Sequence, residues 1–139
     1  EVSDCTNVVF TATCEAFEMA LTTTDARSPL GTSIVYQSDA TSTGDDGIFG
    51  SGTSTLYQVS IDNSGNASTD AFVKLYNGTA ASTNDPYLVL FCYRATKKTY
   101  SFVEGLPFSG ALGLRCVTGE ATGNTSSPSA DVKVYLVGG

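Results

Sequence analysis

The chain has 139 residues, a formal net charge of −7, no histidine and no tryptophan. That length predicts one domain closing over a single core without help from a metal. The acidic balance argues against a nucleic-acid partner and against an anionic membrane surface, both of which need concentrated positive charge; no apolar run approaches the roughly 18 residues of a membrane span.

Apolar residues make up 41% of the chain and charged residues 15%, against about a quarter charged in an average domain. Ser and Thr supply the difference, at about a quarter of all residues. A hydroxyl-rich, charge-poor surface suits an extracellular or particle-exposed β protein.

The chain starts Glu1-Val2-Ser3-Asp4 and carries no signal-peptide pattern, which reads as a cleaved or trimmed start. Residues 7–13 read as a strand with Val8, Phe10, Ala12 and Cys14 on one face. Residues 15–21 fit a helix or a strand; Thr22, Thr23 and Thr24 tip the reading to strand. Asp25-Ala26-Arg27-Ser28-Pro29 is a turn, and residues 32–37 are a further strand. Residues 38–53 are polar and Gly-rich and read as a long loop. Residues 55–62 alternate, with Tyr57, Val59 and Ile61 expected on the core face, and end in the turn Asp62-Asn63-Ser64-Gly65-Asn66.

Five short alternating runs follow, at residues 71–76, 87–93, 99–103, 111–117 and 131–137. Leu112, Leu114 and Cys116 share one face, and Arg115 lies on the other. Val132, Val134 and Leu136 share a face opposite Lys133 and Tyr135. Strands at this spacing, punctuated by Gly, Asn, Asp and Pro, predict an all-β fold: an antiparallel two-sheet β-sandwich, jelly-roll-like, with eight or nine strands. Residues 1–139 form the one domain, with a short N-terminal arm at about residues 1–6.

The cysteines are Cys5, Cys14, Cys92 and Cys116. Their spacing matches no zinc or redox pattern. The even count and the hydroxyl-rich surface favour disulfides, within or between subunits. An unbroken strand would hold Cys5 and Cys14 about 30 Å apart at roughly 3.3 Å per residue, far beyond the approximately 7 Å a disulfide allows. Bridges from the N-terminal strand to the C-terminal sheet are then expected, with small buried apolar residues as the alternative.

Three triplets match the N-glycosylation acceptor, at Asn66, Asn77 and Asn124, all in expected turns. Asp39, Asp45 and Asp46 lie in the Gly-rich loop but lack the spacing of a calcium loop. Arg94, Lys97 and Lys98 cluster in a hairpin turn. Without histidine, no Ser-His or Cys-His nucleophile pair is available. The acids Glu15, Glu18, Asp45, Asp46, Asp62, Asp70, Glu104 and Glu120 fall mostly in polar turns, where a solvated carboxylate is the default. No enzyme activity and no cofactor are expected.

Phe72-Val73-Lys74-Leu75-Tyr76-Asn77, Asp85-Pro86-Tyr87-Leu88-Val89-Leu90, Ser101-Phe102-Val103-Glu104-Gly105-Leu106-Pro107-Phe108-Ser109-Gly110-Ala111-Leu112 and Val132-Lys133-Val134-Tyr135 follow in that order. This half of the chain resembles small β-sandwich accessory proteins of tailed phages. The resemblance implies a capsid decoration or cement subunit, or a fibre component, on a virion surface. Its partners would be copies of itself and a major capsid protein. Val2 in the arm and Ile48 and Phe49 in the loop are the expected contacts, with anchoring of the loop to its own domain as the alternative for Ile48 and Phe49. Two other readings stand beside it. One is a secreted filament subunit whose end strand completes a neighbour's sheet. The other is a carbohydrate-binding module using Tyr36, Tyr76, Tyr93 and Tyr135.

Overall fold

The computed structural model describes residues 33–139. The strands expected within residues 7–24, the arm with Val2, and Cys5, Cys14, Glu15 and Glu18 lie outside the described residues. Seven strands are present among the described residues: β1 (Ser33–Gln37), β2 (Ser54–Asp62), β3 (Ala71–Asn77), β4 (Leu88–Cys92), β5 (Lys97–Phe108), β6 (Leu112–Val117) and β7 (Lys133–Gly138). They form two antiparallel sheets, ordered β1-β7-β2-β5 and β4-β3-β6.

The pairing is nested about the β3–β4 hairpin. β3 pairs with β4, β2 with β5, and β1 with β7. Residues 41–48 fill the remaining level by lining the free edge of β6. Asp45 and Leu114 exchange two backbone bonds of 2.8 Å, Cys116 N donates to Thr41 O at 2.8 Å, and Ile48 N donates to Leu112 O at 3.0 Å. This segment takes the place of an eighth strand as irregular backbone with one isolated bridge. One long hairpin, folded at β3–β4 and rolled so that β7 enters between β1 and β2, is a jelly roll.

The facing sides of both sheets close over the core. Leu56, Val59, Ile61, Val134 and Leu136 come from one sheet, and Val73, Leu75, Leu90, Leu112 and Leu114 from the other. Val132 precedes β7 and joins them. Ile48 and Phe49 pack against this core. A Cβ on Gly138 would lie 2.7 Å from the Phe49 ring. They anchor the loop to its own domain, one of the two roles expected of them.

The expected inward face of β2 is also corrected. A bulge falls between Leu56 and Gln58. Tyr57 is the extra residue opposite β7, so Leu56, fully buried, joins Val59 and Ile61 while Tyr57 is half-buried. On the other side of β2, residues 102–105 of β5 have no partner: Ser101 pairs with Gln58 and Leu106 with Leu56. Gly105 makes this excursion possible, with φ +79°; a Cβ there would lie 2.9 Å from the Tyr57 ring. Beyond it Phe108 turns inward and is buried, edge-on to Tyr87 at 5.2 Å.

The bulge ranks two neighbouring truncations. Leu56→Ala is expected to cost about 3 kcal/mol and Tyr57→Ala about 1 kcal/mol or less, read by urea unfolding of the two variants. The reverse ranking would mean that β2 alternates without a bulge.

Candidate interaction surface

The two outer faces differ. On the β1-β7-β2-β5 sheet, Tyr36, Tyr135, Ser60 and Thr99 form one row across all four strands. Tyr36 and Tyr135 stack at 4.5 Å between centroids, 46% and 42% exposed. Ile34 lies in the next row, opposite Val137, and is 75% exposed. The pKa of Tyr36 is raised by partial desolvation and by the Tyr135 hydroxyl beside it. Together Ile34, Tyr36 and Tyr135 make an apolar ledge on a face that also carries hydroxyls, an amide and the charges of Asp62, Lys97 and Lys133.

At one end of this face Asp62 stands between Lys133 on β7 and Lys97 on β5. Lys97 Nζ lies 2.7 Å from Asp62 Oδ2, and Ser64 donates to Oδ1 from its hydroxyl and its backbone N–H. Bonding to Lys97 and Ser64 holds the Asp62 carboxyl down to about 2. The rest of the basic cluster rests on aromatic rings. Lys98 Nζ lies 4.8 Å from the Tyr100 ring centroid, and the Arg94 guanidinium 5.1 Å from that of Tyr93.

The β4-β3-β6 sheet does not show its outer face to solvent as the alternation of β6 predicted. All six residues of β6 are buried, and so are Lys74 and Tyr76 of β3. Three loops cover this face. Ser42 and Asn124 receive Arg115 through their carbonyls and Ala121 receives Lys74. A Cβ on Gly44, where φ is +86°, would lie 2.7 Å from Ala80 O and 2.8 Å from Arg115 Cγ. The loops after β1, β3 and β6 therefore meet above Arg115. Only the β4 margin of this face is open, with Tyr87, Val89 and Tyr93 exposed.

Three of the four sheet edges are closed, by different means. Residues 41–48 line β6. The excursion at residues 102–105 interrupts β5, with Val103 94% exposed at its tip. At β4, the Tyr100 hydroxyl donates to Phe91 O at 2.5 Å and accepts from Phe91 N at 3.2 Å, which satisfies backbone groups on the outward side of that strand.

The glycan acceptors separate. Asn77 is exposed and bonded to Ser109 and Gly110. Asn124 is half-buried in the loop over Arg115. Asn66 is 1% exposed. Its Nδ2 donates to Asn63 Oδ1 and Ala130 O, and its Oδ1 accepts from Ser129 Oγ and Ala130 N. A glycan on Nδ2 would break this network, so the expectation of an open acceptor is corrected at Asn66.

Cys92 and Cys116 are free, buried thiols; the bridges expected from the N-terminal strand involve Cys5 and Cys14, which lie outside the described residues. They sit on β4 and β6 with β3 between them, opposite Ala71 and Val73; the two strand spacings alone are about 9–10 Å, beyond disulfide reach. Cys92 Sγ lies 3.7 Å from Ile61 O and 3.6 Å from Thr96 O. Burial pushes the Cys116 thiol up to about 12.

The acids serve as loop ties. Asp45 accepts from Gln37 Nε2, Asp46 from Ala80 N, Asp70 from Arg94 N and Asp85 from the Thr122 hydroxyl. Asp39, Glu104 and Glu120 are exposed. Among the described residues, no group of three or more Cys, Asp or Glu is placed to hold a metal ion.

Two measurements check this chemistry. Iodoacetamide followed by peptide mass analysis should leave Cys92 and Cys116 unmodified in the folded protein and label both after unfolding without reductant. Asp62 has a folded pKa below its unfolded one, so its stabilisation is present above pH ~4 and is lost as pH falls toward ~2. The melting-temperature gap between the wild type and Asp62→Asn should be full at pH 6 and vanish by about pH 2. No protein-family model, no curated protein and no solved structure matches this chain.

Proposed function

We propose that the protein is a non-enzymatic structural subunit of an extracellular particle, a phage capsid decoration or cement protein that works through contacts between subunits. The observation that carries this reading is the apolar ledge of Ile34, Tyr36 and Tyr135, on a sheet face that is otherwise polar. Three exposed apolar side chains grouped on a flat face favour a partner surface over isolated exposure. A second copy, or a major capsid protein, would bury them. The jelly roll and the resemblance to phage accessory proteins point the same way, the fold by analogy only.

The strand-complementing filament is the weaker reading. Such a subunit needs an open edge to receive a strand; β4, β5 and β6 are capped, interrupted and lined, which leaves β1 as the one edge without such a device among the described residues. The carbohydrate module is weaker again. Tyr36 and Tyr135 stack on each other, Tyr76 is buried and Tyr93 lies on the other sheet, so the four do not make one platform.

Sedimentation velocity across a concentration series, with co-sedimentation on undecorated phage capsids, tests the proposal. The wild type should self-associate or bind the shell. Ile34→Asp and Tyr36→Ser should weaken that at least ~10-fold, the scale of a residue worth more than about 1.4 kcal/mol at an interface. A wild type that stays monomeric and does not bind shells would sink the reading.

A further inference from the structure

We propose that the covered outer face of the β4-β3-β6 sheet holds a small inorganic oxyanion, sulfate or phosphate, between Lys74, Arg115 and Tyr76. Lys74 and Arg115 are directly opposed on β3 and β6, and Tyr76 lies two residues beyond Lys74 on the same face. Opposed side chains in a ladder start about 5 Å apart and diagonal ones about 7–8 Å apart, within reach of chains this long. Lys74 is 0% exposed, and Arg115 and Tyr76 are 2% exposed.

Their polar ends are only partly satisfied. Lys74 Nζ donates to Ala121 O at 2.5 Å, and Arg115 Nε to Ser42 O at 2.7 Å. Arg115 Nη2 reaches Asn124 O only at 3.5 Å. Arg115 Nη1 and Tyr76 Oη are buried with no partner among the described residues. Two orphaned donors thus sit on one covered face beside a lysine with further hydrogens to give.

Charge sharpens the case. Among the described residues no carboxylate is paired with Lys74 or Arg115. Two cations are desolvated side by side, and the Lys74 pKa is lowered, first by burial and then by Arg115. Buried like charges without a counter-charge are strongly unfavourable. Water could fill the donors' vacant positions but would leave both charges unbalanced. An oxyanion does both: its oxygens accept from Nη1, from the tyrosine hydroxyl and from Nζ, and its charge offsets the pair. The carbonyls of Ser42, Ala121 and Asn124 then hold the cations in place around it. Access would be through residues 118–127, tied by Thr118 N to Ser126 O, Asn124 N to Ala121 O and the Thr122 hydroxyl to Asp85.

The test is thermal unfolding of the full chain at fixed ionic strength, with chloride replaced stepwise by sulfate or by phosphate. The expected result is a saturable rise in melting temperature at low millimolar sulfate or phosphate and none with chloride. Tyr76→Phe, which removes one hydroxyl and keeps the ring, should raise the half-saturating concentration about tenfold. Lys74→Met should abolish the response. The phosphate midpoint should fall with rising pH as phosphate gains its second charge while that of sulfate stays put, which separates the two ions. Sulfate also stabilises proteins generally, without saturation. A linear rise, or a rise of equal size in chloride or in the two variants, would overturn the site. So would a Tyr76→Phe protein that is simply more stable with its anion response unchanged, since that is the behaviour of an empty or water-filled position.

Discussion

The structure depends on the insertion of β7 between β1 and β2. This strand bonds to neighbours on both sides, β1 at Ser33–Gln37 and β2 from Leu56 to Asp62. Val134 and Leu136 on its inner face are fully buried. A last strand placed between the first two described joins the ends of a long hairpin. It compels the intermediate strands to pair in nested order and to cross repeatedly between sheets. The crossings need long connections, and those connections have to lie somewhere.

They lie over one sheet. The loops after β1, β3 and β6 converge on β6 and β3, so the three-stranded sheet is enclosed on both sides and the four-stranded sheet is not. The same backbone pattern therefore carries opposite side-chain chemistry on its two outer faces. On the open one, Asp62 stands between Lys97 and Lys133 under solvent screening, and the tyrosine pair and Ile34 are available to a partner. On the enclosed one, Lys74 and Arg115 leave water for backbone carbonyls. Three of the four edges are protected by something local: a hydroxyl from Tyr100 at β4, an unpaired excursion at residues 102–105 of β5, a lining segment at residues 41–48 along β6.

Much of this architecture was legible in the sequence. Alternation located β1, β3, β4, β6 and β7 and chose the inward residues Val134, Leu136, Leu112, Leu114 and Cys116 correctly, because a strand's two-residue period is written directly in its side chains. The candidate surface was less so. Tyr36 and Tyr135 were visible as separate aromatics, but their stacking needs β1 and β7 to be neighbours, and about a hundred residues separate them in the chain.

By itself the sequence determined the all-β class, the positions of most strands and the faces they turn to the core, since those follow from local periodicity and turn chemistry. Only tertiary structure decided the rest. Tyr57 yielded its inward place to Leu56 because the bulge is a mismatch between two ladders. Asn66 became an interior junction because Ala130, remote in sequence, comes down on it. Lys74 and Arg115 were buried because loops folded over them. In each case the environment is assembled from segments dozens of residues apart, and a charge or an amide carries no local mark of what will later cover it.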